Sequence, residues 1–144
     1  MTVAAILREK GHDVAAVRPD TPVADIARAL ADHRIGAILV RDAEGRLAGI
    51  VSERDIVRCL ARDGAAVLEQ PASALMTSVL HTVRPETTVA QAMTMMTDHR
   101  VRHLPVLDHG TLVGIISIGD VVKRRLADQA QEVDSLKAYV AGSV

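Results

Sequence analysis

The chain carries one unit of sequence twice. Residues 17–58 align with residues 83–123, and 18 of the 41 aligned positions are identical once Glu44 is skipped in a turn. The identical pairs include Pro19/Pro85, His33/His99, Gly49/Gly114, Ser52/Ser117 and Asp55/Asp120. A unit of this size cannot bury a core of its own, so two copies predict one pseudo-symmetric module in which functional sites come in pairs. At 144 residues, the chain is long enough to bury roughly 70% of its unfolded surface.

Apolar residues make up 49% of the chain, with no Phe, no Trp and a single Tyr. The core is therefore expected to be aliphatic. An aliphatic core offers no aromatic platform for stacking bases, and a net charge of −1 leaves no basic footprint for nucleic acid. The lone Cys59 cannot form an internal disulfide, which fits a reducing compartment, and its apolar surroundings favour a structural thiol. No secretory leader is readable at the N-terminus. No apolar run approaches the ~18 residues of a membrane span. The expectation is a soluble, cytoplasmic protein that contacts neither membrane nor nucleic acid.

Helical spacing and turn residues predict the same order in both copies. In the first, a helix at 2–10, with Thr2 as its expected N-cap, stops at Gly11 and a strand runs over 14–17. Helix 22–33 follows, capped by Thr21 with Pro22 at its first position; then come strand 37–41, a hairpin turn, strand 47–51 and helix 53–61. The second repeats this as strand 80–83, helix 88–99, strand 103–107, strand 112–116 and helix 118–126. Residues 64–71 read as a linker and 73–76 as a short counterpart of the opening helix. Each unit is thus β-α-β-β-α, with boundaries at 1–64 and 65–127. A helical tail at 128–144 carries Val133, Leu136 and Val140 on one narrow stripe, suited to a neighbouring surface such as a second subunit.

Both copies end their last strand in the pattern G-h-h-S-x-x-D: Gly49 to Asp55 and Gly114 to Asp120. Glycine admits a close neighbour. Serine falls at the helix N-cap, beside free N–H groups and a partial positive charge that attract anions. The aspartate offers two acceptor oxygens, suited to a ribose cis-diol. The same spacing is also a capping box, which needs no ligand.

These paired ends, with Val101 to Val106 before the second hairpin, resemble a tandem pair of CBS domains, the regulatory module named after cystathionine β-synthase and also called a Bateman module. The resemblance covers residues 1 to about 126 and implies an α/β fold. Two pseudo-symmetric β-α-β-β-α CBS repeats would pack through their sheets into one compact module, with two clefts for adenosine-containing ligands such as AMP, ADP, ATP, S-adenosylmethionine or NAD(H). It also implies a stand-alone, non-catalytic homodimer that senses ligand and signals to a regulated protein. By position, Asp120 and Asp55 resemble the family's ribose-binding aspartates, and Ser117 and Ser52 its ribose- or phosphate-contacting hydroxyls. Thr82, Val83, Ala16 and Val17 resemble residues lining the adenine pocket. Arg102 and His103, with Pro105 following, match positions that face phosphates. The first copy has Gly36, Ala37 and Leu39 there, and Arg54 where the second has Gly119. The copy-two site is therefore the better fit to a charged phosphate. The alternative is a structural or dimerisation protein whose Ser-x-x-Asp pairs are only caps.

Other residues read more plainly. His99 and His103 have no third ligand nearby in sequence, so no metal site is expected. His33-Arg34 and His99-Arg100 suit the negative ends of their helices. Met93, Met95 and Met96 read as adaptable core, and Tyr139 as a tail residue that could cover a nucleotide of a neighbouring chain. No nucleophile–base pair, P-loop or H-E-x-x-H is present, so no catalysis is expected.

Overall fold

The computed structural model describes residues 1–78 and 81–142. Its elements run α1 (Val3–Lys10), β1 (Ala16–Val17), α2 (Val23–His33), β2 (Ala37–Arg41), β3 (Leu47–Ser52) and α3 (Glu53–Asp63). A 3-10 helix at Gly64–Glu69 leads to α4 (Ala72–Leu75), α5 (Val89–His99), β4 (His103–Asp108), β5 (Thr111–Ser117) and α6 (Ile118–Gly142). The described residues gather into two compact units. One holds residues 1–12, 83–108 and 113–142; the other holds 13–78, 81–82 and 109–112.

In the unit built on the first copy, β1 pairs in parallel with β2, and β2 pairs antiparallel with β3. Val23, Ile26 and Leu30 fall on one face of α2 at helical spacing and pack with Ile38, Val40, Val51 and Ile56. The segment expected as a linker is folded into this core, through Val67 of the 3-10 helix and Ala72 of α4. Beyond α4, Thr77 exchanges two backbone hydrogen bonds with Ile50 of β3, at 2.9 and 3.0 Å.

The unit built on the second copy has β4 paired with β5. Leu80, part of the strand expected at 80–83, lies outside the described residues; Val83 forms a parallel bridge to Val106. The core joins Val83, Val89, Ala92, Met96, Leu104, Val106, Ile116 and Val121 to Val3, Ile6 and Leu7 of α1. Met96 is buried in this core and Met93 and Met95 pack against the core, as expected of core methionines.

Each copy is thus completed by the short helix that precedes the other copy. The helix starts are satisfied accordingly. The first N–H groups of α1 donate to Thr87 O and Pro85 O (2.8 and 2.9 Å), and those of α4 donate to Thr21 O and Pro19 O (2.8 and 3.0 Å). Thr2 stands at the α1 N-cap, but its side chain makes no cap bond, because these carbonyls already do that work. Thr21 does not cap α2 either. Its Oγ1 accepts from Arg18 N–H at 3.1 Å, closing the preceding turn, and Pro22 takes the N-cap position with extended backbone. Arg34 and Arg100, which follow α2 and α5, adopt left-handed conformations at φ 54.

The helix expected to stop near Leu126 continues unbroken to Gly142. Beyond Gly119 it meets no Gly or Pro before Gly142, and Ala, Gln, Glu, Leu and Lys in this stretch all favour helix.

Candidate functional site

The two G-h-h-S-x-x-D segments form the junctions β3–α3 and β5–α6. Their glycines do admit a close neighbour, and that neighbour is the chain itself. A Cβ on Gly114 would lie 2.7 Å from Leu7 Cδ2, and one on Gly49 would lie 2.8 Å from Met76 Sδ and 3.0 Å from Thr77 O.

Both capping boxes are formed. Ser52 N–H and Oγ–H donate to Asp55 Oδ2 at 2.9 and 3.0 Å, and Asp55 N–H donates back to Ser52 Oγ at 3.2 Å. Ser117 N–H donates to Asp120 Oδ2 at 2.8 Å, and Asp120 N–H returns to Ser117 Oγ at 3.2 Å. The hydrogen bonds from Ser117 N–H and Lys10 Nζ both fall on Asp120 Oδ2, and neither draws on the acceptor capacity of Oδ1.

Some of the expected site residues lie beside these junctions and others farther along the strands. In the second copy, Arg102 O accepts from Ile118 N–H at 2.8 Å, which sets Arg102 and His103 beside the start of α6. Arg102 is exposed and His103 half-buried. Pro105 O accepts from Val83 N–H at 3.0 Å, with both residues buried, and Thr82 immediately before them is half-buried. The first copy repeats the layout. Gly36 O accepts from Glu53 N–H at 2.9 Å, Ala37 pairs with Ser52, and Ala16 and Val17 pair with Leu39 and Val40. Arg54 is exposed on the first turn of α3. A groove of about 500 Å³ on the same unit runs along α2 and α3 and meets this set of residues at Gly36 and Glu53. Its walls are apolar at Ala27, Leu30, Ile56 and Val57 and charged at Arg34 and Glu53.

One residue at the copy-two junction has no signal in the sequence. Lys10, the last residue of α1, places its Nζ 2.7 Å from Asp120 Oδ2 and 3.0 Å from Ile115 O. His12 follows, its Nδ1 lying 3.1 Å from Val113 O. At the matching place in the first copy, backbone from Thr77 serves Ile50 instead. The second junction thus sets Lys10 and a helix N-terminus on one carboxylate, with the Arg102 backbone beside the helix start. The first has Arg54 and Arg58, the latter 4.0 Å from Asp55 Oδ1, together with Glu53 and Asp55.

Burial pushes the Asp120 carboxyl up, but hydrogen bonds from the Lys10 ammonium and from Ser117, with the charge of Lys10, outweigh it and hold the group below the usual 3.8. A depressed carboxylate stabilises the fold above its unfolded-state pKa, and that stabilisation is lost as pH falls through the folded value. Lys10→Met is therefore expected to lower the melting temperature at pH 7. The gap to wild type should close as pH falls below about 4. For a pair this exposed the difference is on the order of 0.5–1 kcal/mol. A gap unchanged between pH 7 and pH 3 in thermal melts would show that the pair does not act through Asp120.

With this geometry in hand, likeness to known proteins is informative. The CBS domain profile matches residues 3–62 and 72–127. The chain is 34% identical over 149 aligned positions to the mitochondrial CBS domain-containing protein CBSX3 of Arabidopsis thaliana, covering 98% of this chain and 72% of that protein. A CBS-domain containing protein from Agrobacterium tumefaciens superposes with a TM-score of 0.84 at 46% identity, covering 86% of this chain and 92% of that one. A CBS domain protein from Pyrobaculum aerophilum, solved in complex with AMP, superposes with a TM-score of 0.75 at 28% identity, covering 83% and 89%. The repeat first seen in the sequence is a tandem CBS pair, and the chain belongs to the CBS-domain family.

Proposed function

We propose that this protein is a regulatory module that binds an adenosine nucleotide (AMP, ADP, ATP or NAD(H)) and signals by a change in conformation or assembly, without catalysis. The observation that carries the reading is the β5–α6 junction. Asp120 spends one oxygen on the cap and keeps the other for a ribose hydroxyl, while Lys10, Arg102 and the α6 N-terminus provide positive charge for a phosphate. AMP in the Pyrobaculum aerophilum relative supports the ligand class. The site residues in this reading are Thr82, Val83, Arg102, His103, Pro105, Ser117 and Asp120. Their first-copy counterparts form a second, weaker site whose net positive charge is lower, because Glu53 offsets one of Arg54 and Arg58. The protein works as a cytoplasmic homodimer acting on a regulated protein.

A second reading rests on the completeness of both capping boxes without any ligand: the serine–aspartate pairs serve folding alone. Thermal melting with each nucleotide separates the two. A ligand at a hundred times its dissociation constant stabilises by about 2.7 kcal/mol, or roughly 5–10 °C at this size. If AMP, ADP, ATP, NADH and S-adenosylmethionine all leave the melting temperature unchanged, the nucleotide reading fails and the structural one stands. Dye-based or calorimetric detection is required, since the chain has no tryptophan.

A further inference from the structure

Helix α6 reaches far past the core of its unit. Val121 is buried, whereas Leu126 (60%), Val133 (49%), Leu136 (62%) and Val140 (56%) expose large apolar side chains. From Leu126, the positions 126, 129, 133, 136 and 140 advance by three, four, three and four residues. That is a heptad seam, with Leu126, Val133 and Val140 at a and Gln129 and Leu136 at d. Valine at a with leucine at d, as at Val133 and Leu136, is the combination that favours two parallel strands. The outer b, c and f positions are polar or small (Ala127, Asp128, Gln131, Asp134, Ser135 and Ala138), and Tyr139 flanks the seam at g, 75% exposed.

The flanking charges choose the partner. Glu132 occupies g and Lys137 occupies e, five residues apart. In a parallel, in-register pair, Glu132 of each helix faces Lys137 of the other, giving two opposite-charge contacts across the twofold axis. Arg125 at g faces Ala130 at e in the same register, so no like charges meet. The helix is already nucleated by the folded unit below it, which removes the step that makes short isolated helices unstable.

We propose that residues 126–142 of α6 form a parallel, in-register two-stranded coiled coil with the same residues of a second copy. The inference rests on the homodimeric part of the proposed function and is independent of its nucleotide part. The test uses the full chain. Sedimentation is expected to give twice the 15.4 kDa chain mass. Glu132→Lys should raise the dimer dissociation constant at least tenfold, and adding Lys137→Glu should restore it. In a Cys59→Ser background, Val133→Cys should cross-link most of the chain under mild oxidation, while Ala127→Cys, on the outer face, should not. A monomer at every accessible concentration overturns both the coil and the homodimer. A dimer indifferent to Glu132→Lys, in which Val133→Cys stays reduced, overturns the coil and leaves the homodimer standing. AMP-dependent melting of the Glu132→Lys chain reads the nucleotide site separately.

Discussion

Leu7→Ala is expected to lower the unfolding free energy of its unit by about 3–5 kcal/mol, the range for a fully buried leucine whose cavity cannot collapse. Leu7 is 1% exposed, and its side chain lies against Gly114 of β5. The same contact predicts a compensation. Gly114→Ala alone sets a methyl 2.7 Å from Leu7 Cδ2, an overpacking that costs about 1–3 kcal/mol. In the Leu7→Ala background that methyl enters the vacated space. The double variant should be more stable than the sum of the single changes by at least about 1 kcal/mol, a coupling only contacting residues produce. Calorimetric unfolding of the four proteins measures it. Strict additivity would mean that α1 does not complete the second copy's core.

Asp120→Ala is expected to weaken AMP binding at least 100-fold, about 2.7 kcal/mol, while lowering stability by only about 1 kcal/mol through loss of the cap. A carboxylate accepting a ribose diol contributes charge-assisted hydrogen bonds of roughly 1.5–3 kcal/mol each, so the binding loss outweighs the cap loss. Asp55→Ala removes the equivalent cap at the junction with less positive charge. It should cost similar stability but change AMP affinity less than tenfold. Isothermal titration with melting curves on both variants checks the pair. AMP bound by Asp120→Ala as tightly as by wild type would refute the site, and equal losses in both variants would refute the inequality between the copies.

Much of the module was legible in sequence because its signals are local. The period of Val23, Ile26 and Leu30 announced α2, the turn residues announced the β2–β3 hairpin, and Ser52 with Asp55 announced the start of α3. Each depends on residues within a few positions of one another, where geometry follows directly from spacing. The misjudged places are those where a distant partner supplies what a local residue was expected to supply. Thr2 was expected to cap α1, but the carbonyls of Pro85 and Thr87 do so. Residues 64–71 were expected to be a linker, yet Val67 is core. The tail continues helix 118–126 without a break, since nothing in its chemistry interrupts α6.

The candidate site divides in the same way. The aspartates, their serines and the contrast of Arg102-His103 with Gly36-Ala37 were visible by comparing two copies of one text. Lys10 was not. It reaches Asp120 only because α1, lying ahead of the first copy, folds onto the second, and no periodicity or motif links positions so far apart. Sequence alone determined the duplicated unit, the order of its elements and the paired serine–aspartate ends, since caps, turns and helical faces are written in neighbouring residues. Tertiary structure decided which short helix completes which copy, what packs on each glycine and which cation meets which carboxylate, since burial and ion pairing depend on proximity in space.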